Sequence, residues 1–268
     1  MTSVQSINFD RPQRYMMMTS NTETKPERKR FLKPVAVLSS VAGMGTALAL
    51  ISKKQGFSLS PKVIARTPIR DWVIFKIANK NEPNRKLLEL EEKEIIGLAT
   101  GSVLGGLIGG GLYDRKNFKA KLRESLTQMV GNVLIPVAFV GFASRRYKAH
   151  DTALKSAMPQ FKNLKTSKFV GGVNKFIQNI PAVGITGLAL GLGIFTGSKV
   201  TNFINDKFFG QKEERKIKST DFAPHVDDLC LAVTLMGSKN SPLASTITRT
   251  VPAFLSVPGY QVAKAQEK

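Results

Sequence analysis

Residues 95–113 read IIGLATGSVLGGLIGGGLY, and no charged side chain interrupts the run. As a helix rising about 1.5 Å per residue, these 19 residues extend about 28 Å. A bilayer's hydrocarbon core takes about 20 such residues. Helices of soluble cores are usually shorter and keep one polar face. Here apolar residues, Gly, Ser and Thr surround the axis.

Working outward, three more uncharged runs of similar length occupy residues 34–51, 126–144 and 180–198. Their flanks are cationic: Arg28, Lys29, Arg30 and Lys33 precede the first, and Lys53 and Lys54 follow it. Asp114, Arg115 and Lys116 close the second run; Arg145, Arg146 and Lys148 close the third. Long cationic side chains suit the headgroup level, where the stem stays in lipid and the head reaches water. The pattern predicts an all-α membrane protein with about four transmembrane helices, Gly-rich packing faces, and basic amphipathic interfacial helices between the spans. The mean hydropathy of −0.08 hides this, because charges concentrate between the apolar runs.

Residues 1–33 read as a basic flexible tail, compatible with a transit peptide or a disordered arm. Residues 34–198 form the four-span domain. Residues 199–268 are expected to make a re-entrant segment or a soluble cap, since Pro242, Pro252 and Pro258 break any continuous fifth span. Basic residues stand on both sides of the spans, so charge asymmetry orients the chain only weakly, with a slight excess favouring the N-terminus inside. A single cysteine, Cys230, excludes an intrachain disulfide and does not fix the compartment.

The chain of 268 residues holds 40 Lys+Arg against 19 Asp+Glu, a formal net charge of +21. Such an excess calls for an anionic partner. Lipid headgroups are favoured over nucleic acid, because no nucleic-acid motif is present and four tyrosines and one tryptophan offer little stacking. Within residues 61–80, Ile69, Trp72, Val73 and Ile77 share a face rimmed by Arg66, Arg70, Lys76 and Lys80, which suits an interfacial helix. Residues 114–125 place Phe118, Leu122, Leu126 and Met129 on one stripe, with Lys116, Lys119, Lys121 and Arg123 as its cationic complement. Trp72 and these four cations are the candidate lipid-surface residues. Phe169, Val173, Phe176 and Ile177 repeat the pattern ahead of the fourth run. Glu89, Glu91, Glu92 and Glu94 complement a helix N-terminus better than they ligate a metal.

The sharpest motif is glycine spacing. Gly97, Gly101, Gly105 and Gly109 recur every four residues, with Gly106, Gly110 and Gly111 beside them. Gly184, Gly187 and Gly191, then Gly193 and Gly197, give the fourth run a less regular version. Small residues at this spacing let helix backbones approach closely. The glycines between Gly191 and Gly197 mimic a dinucleotide fingerprint, but they lie inside an uncharged run and lack the strand–turn–helix setting. Asn132 and Pro136 are the polar and helix-breaking residues of the third run. Pro136 should free the Asn132 carbonyl one turn earlier and kink the helix.

One constellation resembles a chemical site: His225, Asp227, Asp228 and Cys230 in PHVDDLC. These side chains ligate transition metals, yet no metal-site spacing accompanies them, and a turn opening a helix explains them better. No ionisable residue lies inside the four runs, which disfavours an ion-coupled carrier. The sequence therefore points to a non-enzymatic membrane structural or interaction protein without a cofactor. Its partners would be anionic headgroups and a second copy or another membrane protein. A channel or translocation component is the alternative, and a membrane enzyme using the His225 cluster is a further one.

Overall fold

The computed structural model describes residues 26–56, 60, 62, 92–161, 168–211, 214–226, 228, 251 and 253–266. It is helical, with no strand among the described residues. The elements are α1 (Pro26–Lys54), α2 (Glu92–Tyr113), a 3-10 turn (Arg115–Asn117), α3 (Phe118–Leu126), a π-helical stretch (Thr127–Leu134), α4 (Ile135–Ser156), α5 (Lys168–Phe209), a second 3-10 turn (Ser219–His225) and α6 (Val257–Lys264). Four helices are long and apolar enough to cross a membrane, as expected of a multi-pass membrane protein.

The helices outrun the uncharged runs. α5 has 42 residues and continues to Phe209, because the flanking Lys, Asn and Phe residues keep helical geometry beyond residue 198. It ends at Gly210, whose φ of 66° is left-handed. The amide of Gln211 then donates to the Asn205 carbonyl at 3.1 Å, satisfying an acceptor the helix would otherwise leave open.

Neighbour order fixes the directions. Along α1, Ser39 lies beside Gly109, Gly43 beside Gly105 and Gly101, and Ile51 beside Gly97, so α1 and α2 are antiparallel. Gly131 meets Thr201 and Gly197, and Gly193 meets Pro136, so the π-helical stretch and α4 run antiparallel to α5. α6 runs parallel to α2, with Gly259 at Gly106 and Ala263 at Gly110. It packs on α1 and α2 and is only eight residues long, about 12 Å at about 1.5 Å per residue, too short to span.

Among the described residues, Met44, Ile95, Leu98, Ala99, Val133, Val251 and Leu255 form a buried core cluster. Much of the outer surface is apolar instead, including Leu38, Leu104, Ile108, Leu112, Phe142, Leu192, Phe203 and Leu188, the last 70% exposed. Water would penalise that surface by about 25 cal/mol per Å², whereas lipid tails do not. Alkaline carbonate should therefore leave the protein in the membrane pellet, and detergent should release it. Recovery in the carbonate supernatant would contradict an integral protein.

Candidate functional site

The glycines of α2 divide into two lanes. Gly101, Gly105 and Gly109 face α1: a Cβ at Gly101 would lie 2.6 Å from Ala47 Cβ, and one at Gly105 would lie 2.9 Å from Gly43 Cα. Gly109 abuts Ser39 Oγ at 2.6 Å on the same measure. Gly97 is looser, 3.7 Å from Ile51 Cδ1. The second lane, Ser102, Gly106 and Gly110, faces α6. There a Cβ would stand 2.9 Å from Gly259 Cα and 2.6 Å from Ala263 Cα at the two glycines. Ser102 Oγ donates to the Ser256 carbonyl at 3.1 Å and accepts from the Gly259 amide at 3.1 Å, which fixes the level of α6.

In α5 the expected glycine set divides into glycines that approach a neighbouring helix and glycines that do not. Gly184, Gly187 and Gly191 are exposed, and among the described residues nothing lies within 4 Å of a Cβ there. Gly193 and Gly197 make the close approach, to Pro136 and Gly131. They lie on the opposite flank of α5, where Ala189, Leu190 and Ile194 are also buried.

The amphipathic stretch entering the third span is turned inside out. Phe118, Leu122 and Leu126 point outward, while Lys121, Ser125, Gln128 and Asn132 are buried at i, i+4, i+7 and i+11. This corrects the expectation for Lys121, which lies inside the bundle and not at the lipid surface. Its ammonium donates to the Ala263 carbonyl at 2.7 Å and the Ala265 carbonyl at 2.9 Å, with Asp114 at 3.6 Å. The last carbonyls of a helix have no intrahelical donor and carry the negative end of its dipole, so the end of α6 attracts a cation. Arg123 is half-buried and donates to Gln211 Oε1 at 2.8 Å; Lys116 and Lys119 are exposed. Trp72 lies outside the described residues, as does the rest of the expected interfacial helix apart from Lys62.

Beyond Lys121 the buried stripe becomes a polar seam. Gln128 Nε2 donates to Glu124 Oε1 at 2.7 Å, and Asn132 Nδ2 donates to Gln128 Oε1 at 3.0 Å and Asp221 Oδ1 at 2.9 Å. Asp221, 1% exposed, also accepts two bonds from the Arg215 guanidinium, at 2.7 and 3.1 Å, and one from the Lys218 amide at 2.8 Å. Arg215 sits 3.6 Å from Glu124 as well. Its amide donates to Asn202 Oδ1 at 3.1 Å, and its carbonyl accepts from Ser198 Oγ at 3.4 Å. Residues 214–225 are thus strapped across α3, the π-helical stretch and α5.

His225 completes the strap. Pro136 has no N–H to give the Asn132 carbonyl, and His225 Nε2 donates to that oxygen at 2.7 Å. The break takes the form of a π-helical stretch, in which the Ile135 amide reaches back five residues to the Val130 carbonyl. Burial lowers the His225 pKa from 6.5 to about 4, against a smaller opposing effect of the Asn132 bond, so the ring is neutral at pH 7. The carbonyl only accepts, which puts the proton on Nε2 and leaves Nδ1 facing Asp228 Oδ2 at 3.8 Å. The unfolded chain binds the proton more readily than the folded one. This group's contribution to stability is therefore full above about pH 6.5 and declines, by up to about 3 kcal/mol, as pH falls toward about 4.

Of the PHVDDLC constellation, His225 and Asp228 are described, while Asp227 and Cys230 lie outside the described residues. His225 Nε2 is committed to a backbone carbonyl, and among the described residues no three His, Cys, Asp or Glu side chains converge as metal ligands. Asp221, Arg215, Glu124 and Gln128 were not singled out by the sequence reading. The spacing of Glu124, Gln128 and Asn132, four residues apart and running into an apolar run, was the available signal. Compared with known proteins, the chain matches no family model, no curated protein and no solved structure.

Proposed function

We propose that this chain is a membrane structural or interaction protein, a scaffold held by glycine-to-backbone approaches with cationic positions that engage anionic headgroups. The observation that carries the reading is that the glycine lanes of α2 are filled, by α1 on one side and α6 on the other, rather than open to a solute. Close backbone approach of this kind favours a fixed arrangement. Lys116 and Lys119 remain as exposed cations at the start of the third helix, and Arg146 lies 5.3 Å over the Phe142 ring near the far end, as a residue at headgroup level would.

Two measurements test it. Liposomes containing the purified protein should pass ions and a small dye no faster than protein-free liposomes; protein-dependent flux would overturn the scaffold reading. The double substitution Lys116→Gln, Lys119→Gln should reduce anionic lipid retained on the detergent-purified protein, about five-fold per charge or about 1 kcal/mol each at low salt. Equal retention would remove these two residues from the lipid surface.

A second reading, a channel or translocation component, draws on the open notch at Gly184, Gly187 and Gly191 beside exposed Leu188, Leu192 and Phe195. If that face meets a passing solute or chain, Leu at Gly187 should lower a flux that the parent protein displays.

A further inference from the structure

We propose that the bundle crosses the membrane obliquely and holds one leaflet thin along the end of α5 and the strap, whose cations engage that leaflet's phosphate headgroups. The proposal rests on the membrane reading above and adds how the molecule sits in the bilayer. It starts from the levels of the four uncharged runs along the bundle. Ser39 lies beside Gly109 and Ile51 beside Gly97, so the runs of α1 and α2 are level. Phe118 lies against Gly111 and Glu92 against Gly141, so Leu104, at the middle of the α2 run, is level with about residue 127. Thr127 in turn meets Asn205, Gly131 meets Gly197, and Pro136 meets Gly193. Measured from the α2 run, the run at 126–144 is therefore displaced by about eight residues, or about 12 Å. The run at 180–198 is displaced the same way by about fifteen residues, or about 22 Å.

With upright helices this stagger carries charge into hydrocarbon. Asp206 and Lys207 are exposed on α5 at the level of Leu104. Lys199, 58% exposed, lies about 9 Å along the axis from that level and pairs with Glu214 of the strap at 3.6 Å. Ser198 and Asn202 hold Arg215 beside it, and Lys216 and Lys218 are exposed there. All of these stand level with residues of the uncharged α2 run. Charged side chains at such depth are costly and rarely face lipid tails. Exposed Phe203, Phe208 and Ile217 lie among them. Exposed cations mixed with apolar and aromatic side chains suit headgroup level better than either hydrocarbon or bulk water. Lys199, Lys207, Lys216 and Lys218 outnumber Asp206 and Glu214, so the surface is complementary to phosphate oxygens.

The displacement grows in one direction, from α1 and α2 through the third span to α5, which is the pattern a tilted bundle levels. Neighbouring helix axes lie about 8–10 Å apart, so steps of about 10 Å per helix are levelled by a tilt of about 45°. At that tilt a run of 19 residues crosses only about 20 Å of hydrocarbon, against about 30 Å in an ordinary bilayer. A membrane meets a short apolar span by thinning around it. Leu38, Leu104 and Ile108 are exposed on the uncharged runs of α1 and α2. Hydrocarbon thus covers that flank, while headgroups and their water reach the strap on the other.

The test uses the full chain in dioleoylphosphatidylcholine liposomes, with Cys230→Ser and a bimane fluorophore at Lys216→Cys or Thr220→Cys on the strap, or at Leu104→Cys on α2. Quenching is compared between lipids carrying a nitroxide on the headgroup and lipids carrying it deep on an acyl chain. The ratio of headgroup to acyl quenching should exceed one at both strap positions and fall below one at Leu104. A strap ratio below one, or a strap fluorophore quenched by neither lipid, would overturn the proposal and leave the four spans standing. A ratio above one at Leu104 would overturn the four-span reading itself, and the proposal with it. A second measurement needs no substitution. Polarised infrared dichroism of the parent protein in aligned bilayers should give a mean helix tilt of about 40° or more, against the common value of about 20°. A mean tilt near the common value would overturn the oblique crossing.

Discussion

Gly105→Ala should lower the thermal midpoint of the detergent-solubilised protein, and Gly97→Ala should leave it level or raise it. Both glycines belong to one four-residue repeat, so sequence spacing alone gives them one fate. Their neighbours differ. A Cβ at Gly105 would press on the Ser39 carbonyl and lie 2.9 Å from Gly43 Cα, and backbone cannot rotate aside as a side-chain tip can. α1 and α2 must separate along their crossing, losing dispersion contacts on both sides, at a cost of about 1–3 kcal/mol, with Gly105→Leu above Gly105→Ala. At Gly97 the added methyl finds ordinary contact with Ile51 Cδ1 at 3.7 Å, while the helix gains about 1 kcal/mol of propensity. Gly187→Ala belongs with Gly97→Ala, since among the described residues nothing lies within 4 Å of its added methyl. The opposite signs are the check. Equal tolerance of Ala at Gly97 and Gly105 would mean that α1 does not lie against α2 at Gly105.

The larger effect is expected at Asp221→Ala. That carboxylate is 1% exposed and accepts from Arg215, Asn132 and the Lys218 amide. Removing it leaves a guanidinium, 15% exposed, with Glu124 at 3.6 Å as the remaining acid beside it among the described residues, and takes one of two acceptors from the Asn132 amide, which keeps Gln128. Breaking a buried pair from one side costs about 3–5 kcal/mol. Replacing both partners, Asp221→Leu with Arg215→Met, should recover much of the loss, since the uncompensated charge is what destabilises. Thermal unfolding of the two singles and the double gives the coupling directly. An Asp221→Ala loss within about 0.5 kcal/mol, the range of ordinary surface substitutions, would show that the strap is not seated in the seam.

The spans were legible because bilayer thickness imposes a length, and residues 95–113 meet it with no charge to interrupt them. The boundaries were less so. Charged flanks continue a helix as readily as they end one, and α5 passes residue 198 without a break. The amphipathic stretch at 118–129 was legible as a stripe but not in its direction. A two-sided helix meeting lipid can turn its polar face inward only if something polar waits there, and for Lys121 that was the end of α6, 142 residues away. The same applies to the seam. Pro136 announced a freed carbonyl at Asn132, but spacing could not name His225 as the donor from 93 residues further on. Asp221 was overlooked because a lone Asp before Phe-Ala-Pro-His looks like any turn residue.

The two-lane construction of α2 has a consequence for the order in which the molecule is made. Ser102 and Ser256, joined by a hydrogen bond, are 154 residues apart, and two further spans are synthesised between them. When α2 enters the bilayer its α1 lane can close at once, while its second lane, Ser102, Gly106 and Gly110, must wait. Until α6 arrives, the backbone along that flank lies bare to lipid or to whatever attends insertion. A chain interrupted before α6 would carry four apolar helices with an unfilled seam down the middle, competent to enter the membrane but not to complete its packing. The arrival of α6 would then complete the packing of α2, with the ammonium of Lys121 closing over the carbonyls of Ala263 and Ala265.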